Sequence, residues 1–166
     1  MGVIGDIVDA HLVTDVVEVA VAGLRYGLVQ RNRAVRLVAR REGDGYEVVV
    51  EDNGMGIKPE NLDTYKALVE EAWLNFGALH FDHYDFLLSL SEQMGGIGLE
   101  HHRSSENGTT PTYFTEWDKN ADTRDLLPHE FTHSWNGKFR RPADLWTPNF
   151  NVPMRDSLLW VYEGQT

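Results

Sequence analysis

The chain has 166 residues, of which 42% are hydrophobic and 25% charged, with a formal net charge of -11. That is one domain's worth of an ordinary globular composition, and its acidity argues against nucleic acid and anionic membrane surfaces, which need basic patches. It suits a cationic partner such as the free amine of a peptide. There is no cysteine, so disulfides and thiolate metal sites are excluded, and any zinc must be held by histidine and carboxylate. No apolar run is long enough to span a bilayer, and the N-terminus lacks a basic start before an apolar core. The expectation is a cytoplasmic protein without a membrane partner.

Taken in order, residues 6–30 place apolar side chains at Leu12/Val13, Val16/Val17, Ala20/Val21, Leu24 and Leu28, the period of an amphipathic helix. Residues 34–40 and 46–51 read as two strands joined by the turn EGDG at 42–45. The stretch DNGMGI follows at 52–57, and a scaffold hairpin ending in a glycine turn is its plainest reading. Residues 58–76 form a second helix, with Pro59 in its first turn, a stripe of Leu62, Tyr65, Val69, Ala72 and Phe76, and Gly77 as its stop. Residues 83–90 read as a buried strand. Residues 94–102, MGGIGLEHH, read as a glycine-containing edge strand, and 103–108 as a polar loop. Glycines there let another backbone approach, so a substrate peptide can add as an extra strand.

His129-Glu130-Phe131-Thr132-His133 is the stretch that carries chemistry. On a helix, positions i and i+4 share a face, so both imidazoles converge on one point. Two neutral imidazoles suit Zn²⁺, and the carboxylate between them reaches water at the metal. The rival is an ordinary surface helix that happens to hold these residues. Thr123 or Asp125 is the expected cap, Pro128 falls in the first turn, and Gly137 is the expected end. Three prolines (Pro142, Pro148, Pro153) make the next segment an extended loop, pinned by Trp146 and Phe150. Residues 156–164 start another helix. Zinc with two histidines needs a third protein ligand and one open position, and Glu163 is the best candidate.

Three stretches, GGIGLEHHRSSENG (95–108), RDLLPHEFTHSWNGKFRRPADLWTPNF (124–150) and DSLLWVYEGQT (156–166), resemble in that order the glycyl-aminopeptidase family. These are gluzincin zinc metallopeptidases with a thermolysin-like catalytic domain, usually followed by a PDZ-like domain. The resemblance covers about residues 57–166. It implies an α+β fold, a thermolysin-like zincin core with an active-site helix and an edge strand. It also implies Zn²⁺ held by His129, His133 and Glu163, with Glu130 as general base. Glu100 would bind the substrate's free α-amine, and Gly96 and Gly98 would let the substrate backbone lie along the edge strand. The implied reaction is removal of small N-terminal residues, glycine and alanine, from peptides.

Two departures qualify this. The chain ends three residues after Glu163, where family members continue, so a truncated core is expected, with the metal site kept and turnover weak or absent. Residues 1–56 do not resemble the family's β-rich N-terminal region, giving an expected division into a support (1–56) and an incomplete peptidase core (57–166). The helix, hairpin and DNGMGI order instead resembles a piece of the ATP-binding fold of histidine kinases, whose D-x-G-x-G box would match Asp52, Gly54 and Gly56. That family's magnesium-binding Asn, four residues after a helical Glu, is replaced by Ala22 after Glu18. Two alternatives to a peptidase therefore stand: a catalytically silent zinc- or peptide-binding module, and a nucleotide-binding module on residues 1–56. His101 and His102 lack helical spacing to the pair and are not expected as ligands; one is a candidate to hydrogen-bond substrate. His11, His80 and His83 are expected to be structural or exposed, and Trp135, Trp146 and Trp160 to be core. Asp125 or Asn136 is a candidate to orient a ligand imidazole through its second nitrogen. Tyr162 is a candidate oxyanion donor, but its place next to Glu163 is expected to point it elsewhere.

Overall fold

The structure, a computed structural model, describes residues 33–42, 45–52, 57–94 and 96–166. The helix expected over 6–30, the turn residues Gly43 and Asp44, and Gly54 and Gly56 of the DNGMGI stretch lie outside these residues. Helices and a mixed sheet make the fold α+β. Strands β1 (Arg33–Glu42) and β2 (Gly45–Asp52) pair as the expected antiparallel hairpin. Helix α1 (Pro59–Phe76) follows, then β3 (His83–Leu90), β4 (Ile97–Glu100), β5 (Ser104–Thr109) and helix α2 (Leu126–His133). The sheet order is β2-β1-β3-β5-β4, so the hairpin extends the same sheet that carries β3 to β5.

The core follows from side-chain period. β3 buries Tyr84, Phe86, Leu88 and Leu90 on one face, as a period of two requires. Leu37 and Ala39 of β1 sit opposite Phe86 and Tyr84 and share that face. The stripe of α1, Leu62, Tyr65, Val69 and Ala72, is buried in the same cluster. The N–H of Gly77 closes the last turn of α1 on the Trp73 carbonyl at 2.9 Å. No helix among the described residues is long and apolar enough to cross a membrane.

Several local expectations are corrected. Residues 103–108 are not a loop: Ser104–Thr109 is an interior strand, parallel to β3 and antiparallel to β4. Its buried amide donors are tied into the sheet. Asn107 donates from Nδ2 to the Leu87 carbonyl at 3.2 Å and to Ser105 Oγ at 3.0 Å. A buried polar group with partners costs little, so polarity concealed a strand. In the proline-rich segment, Trp146 and Phe150 do not act as pins; they are 62% and 108% exposed. Leu145, in the short helical turn Ala143–Leu145, is the buried anchor. Trp160 is exposed as well, and only Trp135 of the three expected tryptophans joins the core. Neither Thr123 nor Asp125 caps α2 through its side chain: Asp125 makes no capping bond, and Thr123 Oγ1 donates to the Asn120 carbonyl. Regular α2 ends at His133, before Gly137. The chain then tightens, with Trp135 and Asn136 both donating N–H to the Thr132 carbonyl at 3.0 Å. The last helix is a π-turn, Trp160–Gly164.

Candidate metal centre

One face of α2 fixes the other. Leu127 and Phe131 are fully buried, with Phe131 edge-on to Tyr84 at 4.7 Å and near Phe86 at 5.1 Å. The Tyr84 hydroxyl also donates to the Glu130 carbonyl at 3.2 Å. Because α2 is clamped through this face, the rings of His129 and His133 are held together on its other side, 4.5 Å apart and nearly perpendicular.

The Nε2 atoms of His129 and His133 are 3.0 Å apart. Glu163 Oε2 lies 3.1 Å from the first and 3.3 Å from the second. His133 Nδ1 contacts the Asn136 carbonyl at 3.0 Å. A carbonyl only accepts, so this contact assigns the proton to Nδ1 and leaves the Nε2 lone pair facing the carboxylate. In the neutral ring two acceptors then face each other at 3.3 Å, an arrangement that a cation would resolve. Tetrahedral zinc with arms of ~2.0–2.1 Å has ligand–ligand edges of ~3.3–3.4 Å, close to the separations here. The donor set fits Zn²⁺. Among the described residues, His129, His133 and Glu163 are the group brought together in this way. His101 pairs instead with Glu106 at 3.1 Å, and His102 contributes its carbonyl to Ser134. His80 is half-buried against the Ser134 hydroxyl at 2.8 Å, and burial lowers its pKa. His83 is exposed near Asp85.

Glu130 is 5% exposed, and its Oε2 has no hydrogen-bond partner. Burial lifts its carboxyl to about 7, against the pull of His129, with Glu100 and Glu163 adding to the rise. Its Oε1 occupies the space where a side chain on Gly98 would begin, and Leu126 Cδ1 would be 2.9 Å from that same Cβ. Gly98 thus makes room for the carboxyl. Gly98→Ala is expected to displace Glu130, and a general base in that place would lose about 10- to 100-fold in turnover, since small misplacements at reacting groups cost on that order. Zinc affinity should stay unchanged, because the ligands are not touched; chelator competition and kcat read the two separately. Gly96 stands just before β4 and donates its N–H to the Gly108 carbonyl at 2.9 Å.

Glu100, at the end of edge strand β4, does not stand free. Its Oε1 accepts from the Tyr162 hydroxyl and from Lys138 Nζ at 3.2 Å. Burial would raise this carboxyl, but the Tyr162 hydrogen bond, its own N–H and Lys138 together hold it below the usual value. Tyr162 does not point elsewhere, as its sequence position suggested. It is buried, its ring tilted over His133 at 4.5 Å, and burial with the Glu100 contact pushes the phenol up to about 12. The π-turn lets neighbouring Tyr162 and Glu163 both reach the site, a common use of that geometry. Gly137, at φ 138°, is needed beside it, because a Cβ there would lie 2.8 Å from Tyr162 Cζ. Sequence reasoning gave Lys138 no role; its one signal was its place as the first cation after the HEFTHSWNG run.

A family model described as M61 glycyl aminopeptidase matches residues 122–166, the stretch that holds α2 and the Glu163 turn. The similarity is to a peptidase family and does not include Glu100 or Gly98. No curated protein matches the chain.

Proposed function

We propose that this chain is a zinc-dependent aminopeptidase core of thermolysin-like type that removes small N-terminal residues, glycine or alanine, from peptides. The observation that carries this is the triangle of His129, His133 and Glu163, with the buried, unpartnered carboxyl of Glu130 one residue from a ligand. Zn²⁺ held there would supply a Lewis acid that acidifies water and polarises a carbonyl. Glu130, lifted to about 7, is poised to take a proton from the attacking water and return it to the leaving amine. Glu100 faces the substrate's ammonium and fixes the register at the chain end, because an internal peptide bond carries no such charge. Residues 57–166 supply this core, and the β1–β2 hairpin of the 1–56 support adds two strands to its sheet.

One observation favours a second reading, a silent zinc- or peptide-binding module: Glu100 is already engaged by Lys138 and Tyr162. Zinc analysis and hydrolysis of an alanyl chromogenic amide decide between them. The peptidase reading expects about one zinc per chain and turnover of the free-amine substrate but not its N-acetylated form. Zinc without turnover would leave the silent module, and no zinc would remove the peptidase and leave only a metal-free peptide-binding module.

A further inference from the structure

Asn136 makes contacts in two directions. Its carbonyl accepts from His133 Nδ1 at 3.0 Å. Its side-chain Nδ2 donates to the Val161 carbonyl at 2.8 Å and to Thr166 Oγ1 at 2.9 Å. Thr166 Oγ1 in turn donates to the Tyr162 carbonyl. The amide therefore grips the chain on both sides of Glu163, at the Val161 carbonyl before it and the Thr166 hydroxyl after it. This grip is needed, since the turn is short: Leu158, Leu159 and Trp160 at its start are largely exposed, and Glu163 itself is exposed. Burial holds the turn through Tyr162, whose ring packs on His133, and a helix this short needs further contacts to persist.

We propose that Asn136 is the positioning residue for the third metal ligand: its amide holds the Val161–Thr166 turn so that Glu163 meets the two imidazoles. The proposal rests on the zinc reading above. The two functions of Asn136 are separable, because the His133 contact comes from the backbone and survives any side-chain change. The side chain acts on the metal through the turn that carries Glu163, and the background lacking Glu163 separates that route from the Tyr162 packing on His133.

That gives a thermodynamic cycle, read by zinc affinity in chelator competition. Asn136→Ala should weaken zinc by about 10- to 100-fold, the usual cost of losing a group that orients a ligand. In a Glu163→Ala background the same substitution should change affinity by less than about twofold, as expected for residues acting through one contact. Asn136→Asp, nearly the same size but without the amide donors, should behave like Asn136→Ala, which guards against a volume effect. Far-ultraviolet circular dichroism of the metal-free variants checks that the fold is kept. An equal loss in both backgrounds would overturn the proposal and assign Asn136 to His133 or to the fold. An unchanged affinity in the wild-type background would overturn it as well. Absence of zinc binding by the unaltered chain would instead remove the reading beneath it.

Discussion

In the proposed peptidase, Glu130→Gln is expected to leave zinc bound and to lower hydrolysis of an alanyl amide by about 100- to 10,000-fold, the range over which a positioned acid–base group acts. The glutamine keeps the shape of the side chain but cannot accept and return the proton. Equal zinc content in the two proteins with unequal kcat is the signature. A variant that retains full activity would remove Glu130 from the reaction. The same substitution has a second consequence in the metal-free chain, and its sign follows from where the carboxyl titrates. The group ionises near about 7 in the fold and near ~4.3 when unfolded. Between these values the folded state holds a proton that the unfolded state has lost. Stability therefore falls as pH rises from ~4.3 to about 7 and levels off above. Glutamine has no charge to desolvate, so above pH 7 the variant should be more stable by roughly 1–3 kcal/mol. At pH 4 the two should nearly coincide. Denaturant unfolding at both pH values, in chelator, measures this.

Glu163→Ala should weaken zinc by more than ~100-fold, beyond the 10- to 100-fold typical of removing a group outside the ligand set. The loss is specific to the metal. Glu163 is exposed and meets only the two imidazoles in the site, so the thermal stability of the metal-free chain should stay within about 0.5 kcal/mol. His133 would not behave so mildly, being buried against Tyr162 and tied to Asn136. Unchanged zinc affinity in Glu163→Ala would return the site to two ligands and undo the assignment of the tail.

The parts legible in the sequence were those governed by a local period. The i, i+4 spacing of His129 and His133 needs only a turn of helix, and the alternation in 83–90 needs only a pleat. α1 was visible for the same reason. Residues whose placement depends on a distant partner were not legible. Ser104–Thr109 looked like a loop because Asn107 is paid for by a carbonyl on β3, twenty residues away. Tyr162 was expected to face away because adjacent residues diverge on an α-helix, and the π-turn relaxes that rule. Lys138 acquires its place only when α2 and β4 are packed together. Trp146, Phe150 and Trp160 were assigned inward by hydrophobicity, which does not require an apolar side chain to be buried.

The hydroxyl of Ser134, fully buried, takes a hydrogen bond from His80 and gives one to the carbonyl of His102, at 2.6 Å. This small rivet joins the helix of the imidazoles to the bend that follows Glu100. Under the proposed peptidase reading, the two ends of a bound peptide's first residue, its amine and its carbonyl, would thus be gauged against a single ruler. Evolutionary retuning of that residue's size would then come from side chains lining the gap, because the rivet, Lys138 and Tyr162 together hold the span.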